Sequence, residues 1–278
     1  MSDVSAIAPF DFHVHTSFSH DGEGTVEEYC ERAALQHLKA VGFCEHVDLD
    51  PRDFVSGRHD YEAYRAAVTE ARQKWGDRLI IRMGAEVGYV PRIHDEIRGF
   101  LQEHPYDFVI GSVHAIGDGA SGVSDEYEAL ETFARMELME AYEEYFEAVR
   151  QMVVGGQFDA VGHLDLVNRY GVNYLPERLE WGRFYGTLRR IFEGVIKREM
   201  AIEVNTSGLR QGPQATYPPR ELLQLYREVG GEKVMIGSDA HCLKDLGAGV
   251  PTALKLARDL GLNPFVCFRE RSPEEIKW

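Results

Sequence analysis

The chain has 278 residues, a formal net charge of −16, 44% hydrophobic residues and 27% charged residues. This is the composition of a folded globular protein, and its acidity argues against nonspecific attachment to nucleic acid or to an anionic membrane surface. The four cysteines, Cys30, Cys44, Cys242 and Cys267, form no C-x-x-C pair, so no disulfide framework is expected and a reducing cytoplasm is the simplest setting.

The opening MSDVSAIAPF has no basic region followed by an apolar core, and reads as no targeting leader. The first apolar run is 10–15 (FDFHVH). A helical pattern follows over 25–38, with Thr25 and Glu28 forming a capping-box signature at its start. The second run is 40–46 (AVGFCEH), and after it Asp60 is placed to cap a helix that runs to Trp75. Runs at 79–87 (LIIRMGAEV) and 108–114 (FVIGSVH) come next, then a loose segment, 117–126, that reads as an inserted loop. Residues 128–154 are predicted to form one long helix with Leu138, Ala141, Tyr142, Tyr145, Val149 and Met152 on a single stripe. The remaining runs are 159–164 (DAVGHL), 200–206 (MAIEVNT) and 233–239 (KVMIGSD). Between the last two, Pro218 or Pro219 suits the first turn of a helix carrying Leu222, Leu223, Tyr226 and Val229. No stretch approaches the roughly 20 apolar residues of a membrane span. No linker divides the chain, so residues 1–278 are read as one domain.

The runs are almost continuously apolar, as expected for parallel strands covered on both faces. Seven strand–helix units predict an α/β barrel of parallel strands, although an open doubly wound sheet would give the same alternation. In such barrels the chemistry gathers where strands end and loops begin.

The predicted strand ends carry His13 and His15, then Glu45 and His46, Glu86, His114, His163 and Asp165, and finally Asp239 and His241. Residues two apart on a strand point the same way, so His13 pairs with His15 and Asp239 with His241. Imidazole and carboxylate together suit Zn²⁺, Fe or Mn²⁺. Taken singly, each position has an ordinary structural role: Glu86 could pair with Arg82, and Asp239 could cap a helix. Their recurrence at the same end of successive strands points to a metal site. Of the other histidines, His37 and His94 read as surface or helix-face residues, while His20 and His59 follow strand ends without being assigned as ligands.

The segments HVHTSFSHDG (13–22), CEHVD (44–48), GAEVG (84–88), GSVH (111–114), GHLD (162–165) and GSDAH (237–241) resemble the motif series of the PHP (polymerase and histidinol phosphatase) family. Within it, EVNTSGLR (203–210), YPPRELL (217–223) and VCFRERSP (266–273) resemble the monofunctional histidinol-phosphate phosphatases. The resemblance implies a distorted seven-stranded (β/α)7 TIM-like barrel holding two to three divalent ions, with zinc foremost and iron or manganese as alternatives. Carried over by motif, one ion takes His13, His15, Glu86 and Asp239. Glu86 bridges to a second with His114 and His163, and a third takes Asp21, His46 and His241. Many relatives have histidine where this chain has Asp21, and the adjacent His20 competes for that role.

The implied reaction is hydrolysis of L-histidinol phosphate to L-histidinol and phosphate, a step of histidine biosynthesis, with Glu86, Asp239 and His241 at its centre. Metal ions about 3.5–4 Å apart make hydroxide available near neutral pH and draw charge from the phosphoryl oxygens. Arg169 and Arg210 are the expected phosphate-binding residues, since a guanidinium fork matches phosphate oxygens. Asp48 and Asp165 are candidates for the substrate amino group. His241, metal-bound water and Asp48 are candidates for protonating the leaving oxygen. The competing readings are another PHP-type phosphoesterase acting on nucleotides or DNA 3′ ends, a noncatalytic metal-binding protein, and a metal-dependent amidohydrolase. The acidic chain disfavours long nucleic acid, and no strand end supplies the bridging lysine an amidohydrolase often uses.

Overall fold

The computed structural model describes residues 9–175, 179–263 and 265–276. The expectation about a leader therefore rests on a segment, 1–8, that lies outside the described residues. Seven parallel strands form one sheet in the order β1 (Phe10–Val14), β2 (Ala40–Val47), β3 (Ile80–Gly88), β4 (Phe108–Ser112), β7 (Ala160–Val161), β8 (Ala201–Asn205) and β9 (Val234–Gly237). Between β4 and β7 a small antiparallel hairpin, β5 (Ala115–Ile116) and β6 (Ser121–Gly122), occupies the segment read as a loop. A second hairpin, β10 (Val266–Arg269) and β11 (Ser272–Glu275), follows β9.

The sheet closes rather than staying open. Val14 and Ala240 form a parallel bridge, in which His15 N donates to Ala240 O at 2.9 Å and Ala240 N to His13 O at 3.3 Å. The buried Asp11 carboxylate fastens the same seam. It accepts hydrogen bonds from Ser238 N and Gly247 N, each at 2.8 Å, and from the Ser238 hydroxyl. The outcome is the (β/α)7 TIM-like barrel, and the open-sheet alternative falls away.

Helices α1 (Val26–Leu35), α2 (Tyr61–Trp75) and α3 (His94–Glu103) cover the first strands. Then come α4 (Glu126–Arg135), α5 (Leu138–Gly155), the short α6 (Asn168–Gly171), α7 (Tyr185–Lys197), α8 (Arg220–Glu228) and α9 (Val250–Asp259). The expected caps are present: Thr25 and Glu28 form a reciprocal capping box, and Asp60 accepts from Ala63 N. Two helix expectations are corrected. The predicted helix over 128–154 is two helices, broken where Met136 and Glu137 take extended backbone. The apolar stripe continues through Met136, so periodicity alone hides the break. Pro219 stands at the N-cap of α8 instead of within its first turn.

Beneath the C-terminal strand ends the barrel is filled by rings. A Cβ on Gly84 would collide with the Phe108 ring, and one on Gly42 would come within 2.9 Å of Phe12 and 3.0 Å of Phe108. These two glycines leave room for a packed aromatic layer under the polar strand ends; truncating Phe108 to alanine would cost about 3–5 kcal/mol. Among the described residues, no helix is long and apolar enough to cross a membrane.

Candidate metal centre

The C-terminal ends of the barrel strands surround a cavity of about 890 Å³. Its floor presents His46, Glu86, His114, His163, Asp239 and His241, with Asp21 and His20 at one side. His13 and His15 lie fully buried beneath it.

The first cluster brings four donor atoms together. His13 Nε2 is 3.0 Å from His15 Nε2, 3.4 Å from Glu86 Oε2 and 3.7 Å from Asp239 Oδ1. His15 Nε2 is 3.4 Å from Glu86 Oε2 and from Asp239 Oδ1. Tetrahedral coordination with bonds of about 2.0–2.2 Å separates donor atoms by about 3.3–3.6 Å; three of these five distances lie in that range, and the others, 3.0 and 3.7 Å, lie on either side of it. Glu86 divides its two oxygens. Oε2 faces this cluster, whereas Oε1 lies 2.7 Å from His163 Nε2 and 3.4 Å from His114 Nε2, and accepts from Ser112 Oγ at 2.6 Å. Glu86 is thus built to bridge. The alternative pairing with Arg82 does not occur, because Arg82 donates to Glu274 instead.

A third triangle stands nearer solvent. Asp21 Oδ1 is 3.5 Å from His46 Nε2, Asp21 Oδ2 is 3.4 Å from His241 Nε2, and the two imidazole nitrogens are 3.5 Å apart. His20 Nε2 is 3.8 Å from Asp21 Oδ2 and joins Asp21 and His46 in an alternative grouping.

Charge in the cluster is strongly coupled. Burial works to raise Glu86 and Asp239, but the surrounding histidines, His13 first, outweigh it and hold both carboxyls well below their ordinary values. Burial likewise opposes ionisation of Asp21, and His241 and His46 overcome it. Burial lowers His46, His114 and His241, yet the carboxylates beside them carry all three above the usual histidine value. The donor set therefore holds protons where divalent cations would sit. His163 Nδ1 is buried with no hydrogen-bond partner among the described residues. These donors and this spacing fit metal ions.

Residues 11–207 match the family model of the PHP domain. The chain belongs to the PHP domain family. The histidinol-phosphatase of Lactococcus lactis subsp. lactis is 28% identical to it over 263 residues, covering 93% of each chain. A probable histidinol-phosphatase of Deinococcus radiodurans is 30% identical over 264 residues, covering 94% of this chain and 96% of its own. Among solved structures, the Lactococcus lactis histidinol phosphate phosphatase complexed with zinc, L-histidinol and phosphate superimposes with a TM-score of 0.84 at 25% identity. That match covers 97% of this chain and 100% of the other.

In this PHP domain His13, His15, His46, Glu86, His114, His163, Asp239 and His241 converge as described, the strand-end acids Glu45 and Asp165 do not join them, and the phosphate-binding candidates separate. Arg169 lines the cavity. Arg210 is not among the lining residues; its guanidinium donates to Ser238 O at 2.8 Å, behind Asp239. That contact supports an unusual turn, since Asp239 adopts φ 56°, a left-handed conformation that costs a non-glycine residue about 1–3 kcal/mol. Asp48 lines the cavity, with burial raising its carboxyl. Asp165 does not line it. Asp165 is buried, its two oxygens have no partner among the described residues, and burial raises it well above a normal carboxyl. His37 and His94 stay outside the cavity lining, as expected of them, and so does His59, which pairs with the Tyr106 hydroxyl.

Sequence reading missed Glu203 and named Glu45 only as a possible strand-end ligand, whereas both carboxylates stand behind the ligands. Glu203 Oε1 lies 2.6 Å from His13 Nδ1. Ser19 Oγ donates to Glu45 Oε2 at 2.6 Å and accepts from His46 N at 3.0 Å. The only hydroxyl hydrogen of Ser19 is then committed, so His15 Nδ1, 3.0 Å away, must donate to it. The available signal was an acid inside each of two apolar runs, AVGFCEH and MAIEVNT, where a buried carboxylate requires donors.

Proposed function

We propose that this chain is a metal-dependent phosphomonoesterase that hydrolyses L-histidinol phosphate to L-histidinol and phosphate. The observation that carries the reading is the convergence of His13, His15, Glu86 and Asp239, in which each of the two histidine Nε2 atoms lies 3.4–3.7 Å from both carboxylates and 3.0 Å from the other. The substrate assignment follows the two curated relatives, which share nearly the full length of the chain. It also follows the zinc, histidinol and phosphate bound in the Lactococcus lactis structure.

In this reading the first ion takes His13, His15, Glu86 and Asp239, the second Glu86, His114 and His163, and the third Asp21, His46 and His241. Zinc is the first candidate, with iron or manganese as alternatives. When bound, such ions supply Lewis acidity that makes water a competent nucleophile near neutral pH and offsets charge on the phosphoryl oxygens. Arg169 receives the phosphoryl oxygens from the cavity wall through its guanidinium fork. Arg210 holds the Ser238 carbonyl, and so the turn that presents Asp239. His241, ion-paired with Asp21 and Asp239, and Asp48 both line the cavity and are the side chains that can supply a proton to the leaving oxygen. Asp48 offers a carboxylate to the substrate's amino group. Residues 1–278 act as one domain, because β9 (Val234–Gly237), beyond the matched residues 11–207, completes the sheet and leads into Asp239; the cytoplasm is its compartment.

The test is phosphate release from L-histidinol phosphate beside nucleotides and sugar phosphates, using protein stripped and refilled with Zn²⁺, Mn²⁺ or Fe²⁺. Selective metal-dependent turnover of histidinol phosphate is expected. Turnover of other esters alone would remove the substrate, and no turnover at full metal occupancy would remove the enzyme.

A further inference from the structure

We infer that Glu203 is the positioning residue of the metal cluster: its buried carboxylate orients the His13 ring and the backbone that carries His163. Glu203 lies in β8, on neither strand that bears these two histidines, and is completely buried. Its Oε1 stands 2.6 Å from His13 Nδ1 on β1. Its Oε2 accepts from His163 N, just past β7, at 2.8 Å and from Asn205 Nδ2 at 3.1 Å. Asn205 Nδ2 also lies 3.3 Å from Asp239 Oδ2, which extends the network past β9. One carboxylate thus reaches ligand positions from three other parts of the barrel.

The chemistry of the contact sets its direction. A carboxylate only accepts, so His13 must carry a hydrogen on Nδ1, and Nε2 is the nitrogen left to face an ion. Such a partner fixes both tautomer and ring orientation of a metal-bound histidine. The pair is closely packed by the neighbouring strand. A Cβ at Gly237 would collide with His13 and stand 2.9 Å from Glu203 Oε1, so the neighbouring strand makes room for this pair only as glycine. Glutamine at 203 has the same size, but its amide nitrogen must face either His13 Nδ1–H or the His163 and Asn205 donors. One set of donors is then left against a donor.

The inference rests on the reading of His13 and His163 as ligands, and its test separates the two. Zinc affinity is measured by chelator competition for the wild type, E203Q and H13A, and ring ¹⁵N spectra are recorded on the zinc-loaded wild type. The expected results are a His13 ring protonated at Nδ1 and coordinated through Nε2, and an affinity about 10–100-fold lower in E203Q with the fold of the zinc-free protein retained. Loss of zinc in H13A with unchanged affinity in E203Q would overturn the role of Glu203 while leaving the ligands intact. Unchanged affinity in H13A would overturn the ligand reading and this inference with it. Should E203Q fail to fold, coordination of His13 through Nδ1 in the wild type would still refute the inference, and Nε2 coordination would support it.

Discussion

His13 and His15 hold their Nε2 atoms 3.0 Å apart, and the Nδ1 of each ring already donates elsewhere, to Glu203 and to Ser19. Two lone pairs cannot face each other at that distance without a cation. In the metal-free protein the cation is a proton. Burial lowers His13, but Glu203, then Glu86 and Asp239, raise it well above the usual value. Burial, with His241 and His46, holds His15 well below it. The proton resides on His13 and is donated to His15, and an ion must displace it. Below the raised pKa of His13 protons compete with metal, so affinity falls as pH falls. Zinc uptake near pH 7 should release about one proton from this pair, read as a heat that depends on the ionisation enthalpy of the buffer. Identical heats in phosphate and Tris, after correction for zinc–buffer binding, would contradict this.

Ser19 supports the same site from the other side. Its hydroxyl accepts from His15 Nδ1 and His46 N and donates to Glu45. Burial raises the Glu45 carboxyl, and the hydrogen bonds it accepts from Ser19 and Thr16 oppose that shift without cancelling it. Ser19→Ala removes the junction and leaves buried donors without an acceptor, at a cost of about 1–3 kcal/mol. Denaturant unfolding of the metal-free variant should show that loss, and zinc affinity should fall with it. Wild-type stability and affinity together would show that water replaces the hydroxyl.

How much of this was readable from the sequence depends on the distance between partners. His13 with His15 and Asp239 with His241 are evident locally, because a strand places alternate residues on one face and the barrel gathers strand ends. Glu203 is visible only as an acid within an apolar run, and Glu45 only as a strand-end acid beside His46. Their donors lie far away in the chain, 190 residues in the case of His13 and Glu203, and no local pattern names them. Barrel closure was left open for the same reason, since it depends on Asp11 meeting Ser238 and Gly247 across the seam. Arg210 follows a strand end, as Arg169 does, but only packing reveals that it turns toward Ser238 O.

The two arginines should therefore respond differently. Arg169 lines the cavity, with its guanidinium 5.3 Å from the Tyr170 ring centroid. Arg169→Ala should raise KM for the ester, and Ki for inorganic phosphate, by about 10–100-fold, the value of a charge-assisted hydrogen bond. Arg169→Lys should recover only part of this, because an ammonium cannot make the two-pronged contact. Arg210→Ala frees the Ser238 carbonyl next to the strained Asp239 turn, so kcat and metal retention should fall more than phosphate affinity. Steady-state kinetics with phosphate inhibition separates these patterns, and an Arg169→Ala enzyme with unchanged Ki would remove Arg169 from the phosphate site.

Asp21 and His20 compete for the outermost position, and geometry favours Asp21. Its two oxygens lie 3.5 and 3.4 Å from the Nε2 atoms of His46 and His241, completing a triangle, whereas His20 meets Asp21 only at 3.8 Å. The loop that aims Asp21 is tightly set. A Cβ at Gly22 would collide with the Thr16 carbonyl, and Glu23 N donates to His241 O at 2.7 Å. Asp21 therefore remains beside His241, with a charge that His241 and His46 keep ionised. Asp21→Asn retains the shape and removes the charge. It should lower bound metal by one ion per chain at limiting zinc, while His20→Ala leaves the stoichiometry unchanged. Metal analysis after gel filtration decides between them: loss of an ion in His20→Ala, with full occupancy in Asp21→Asn, would transfer the position to His20 and leave Asp21 as the partner that orients it.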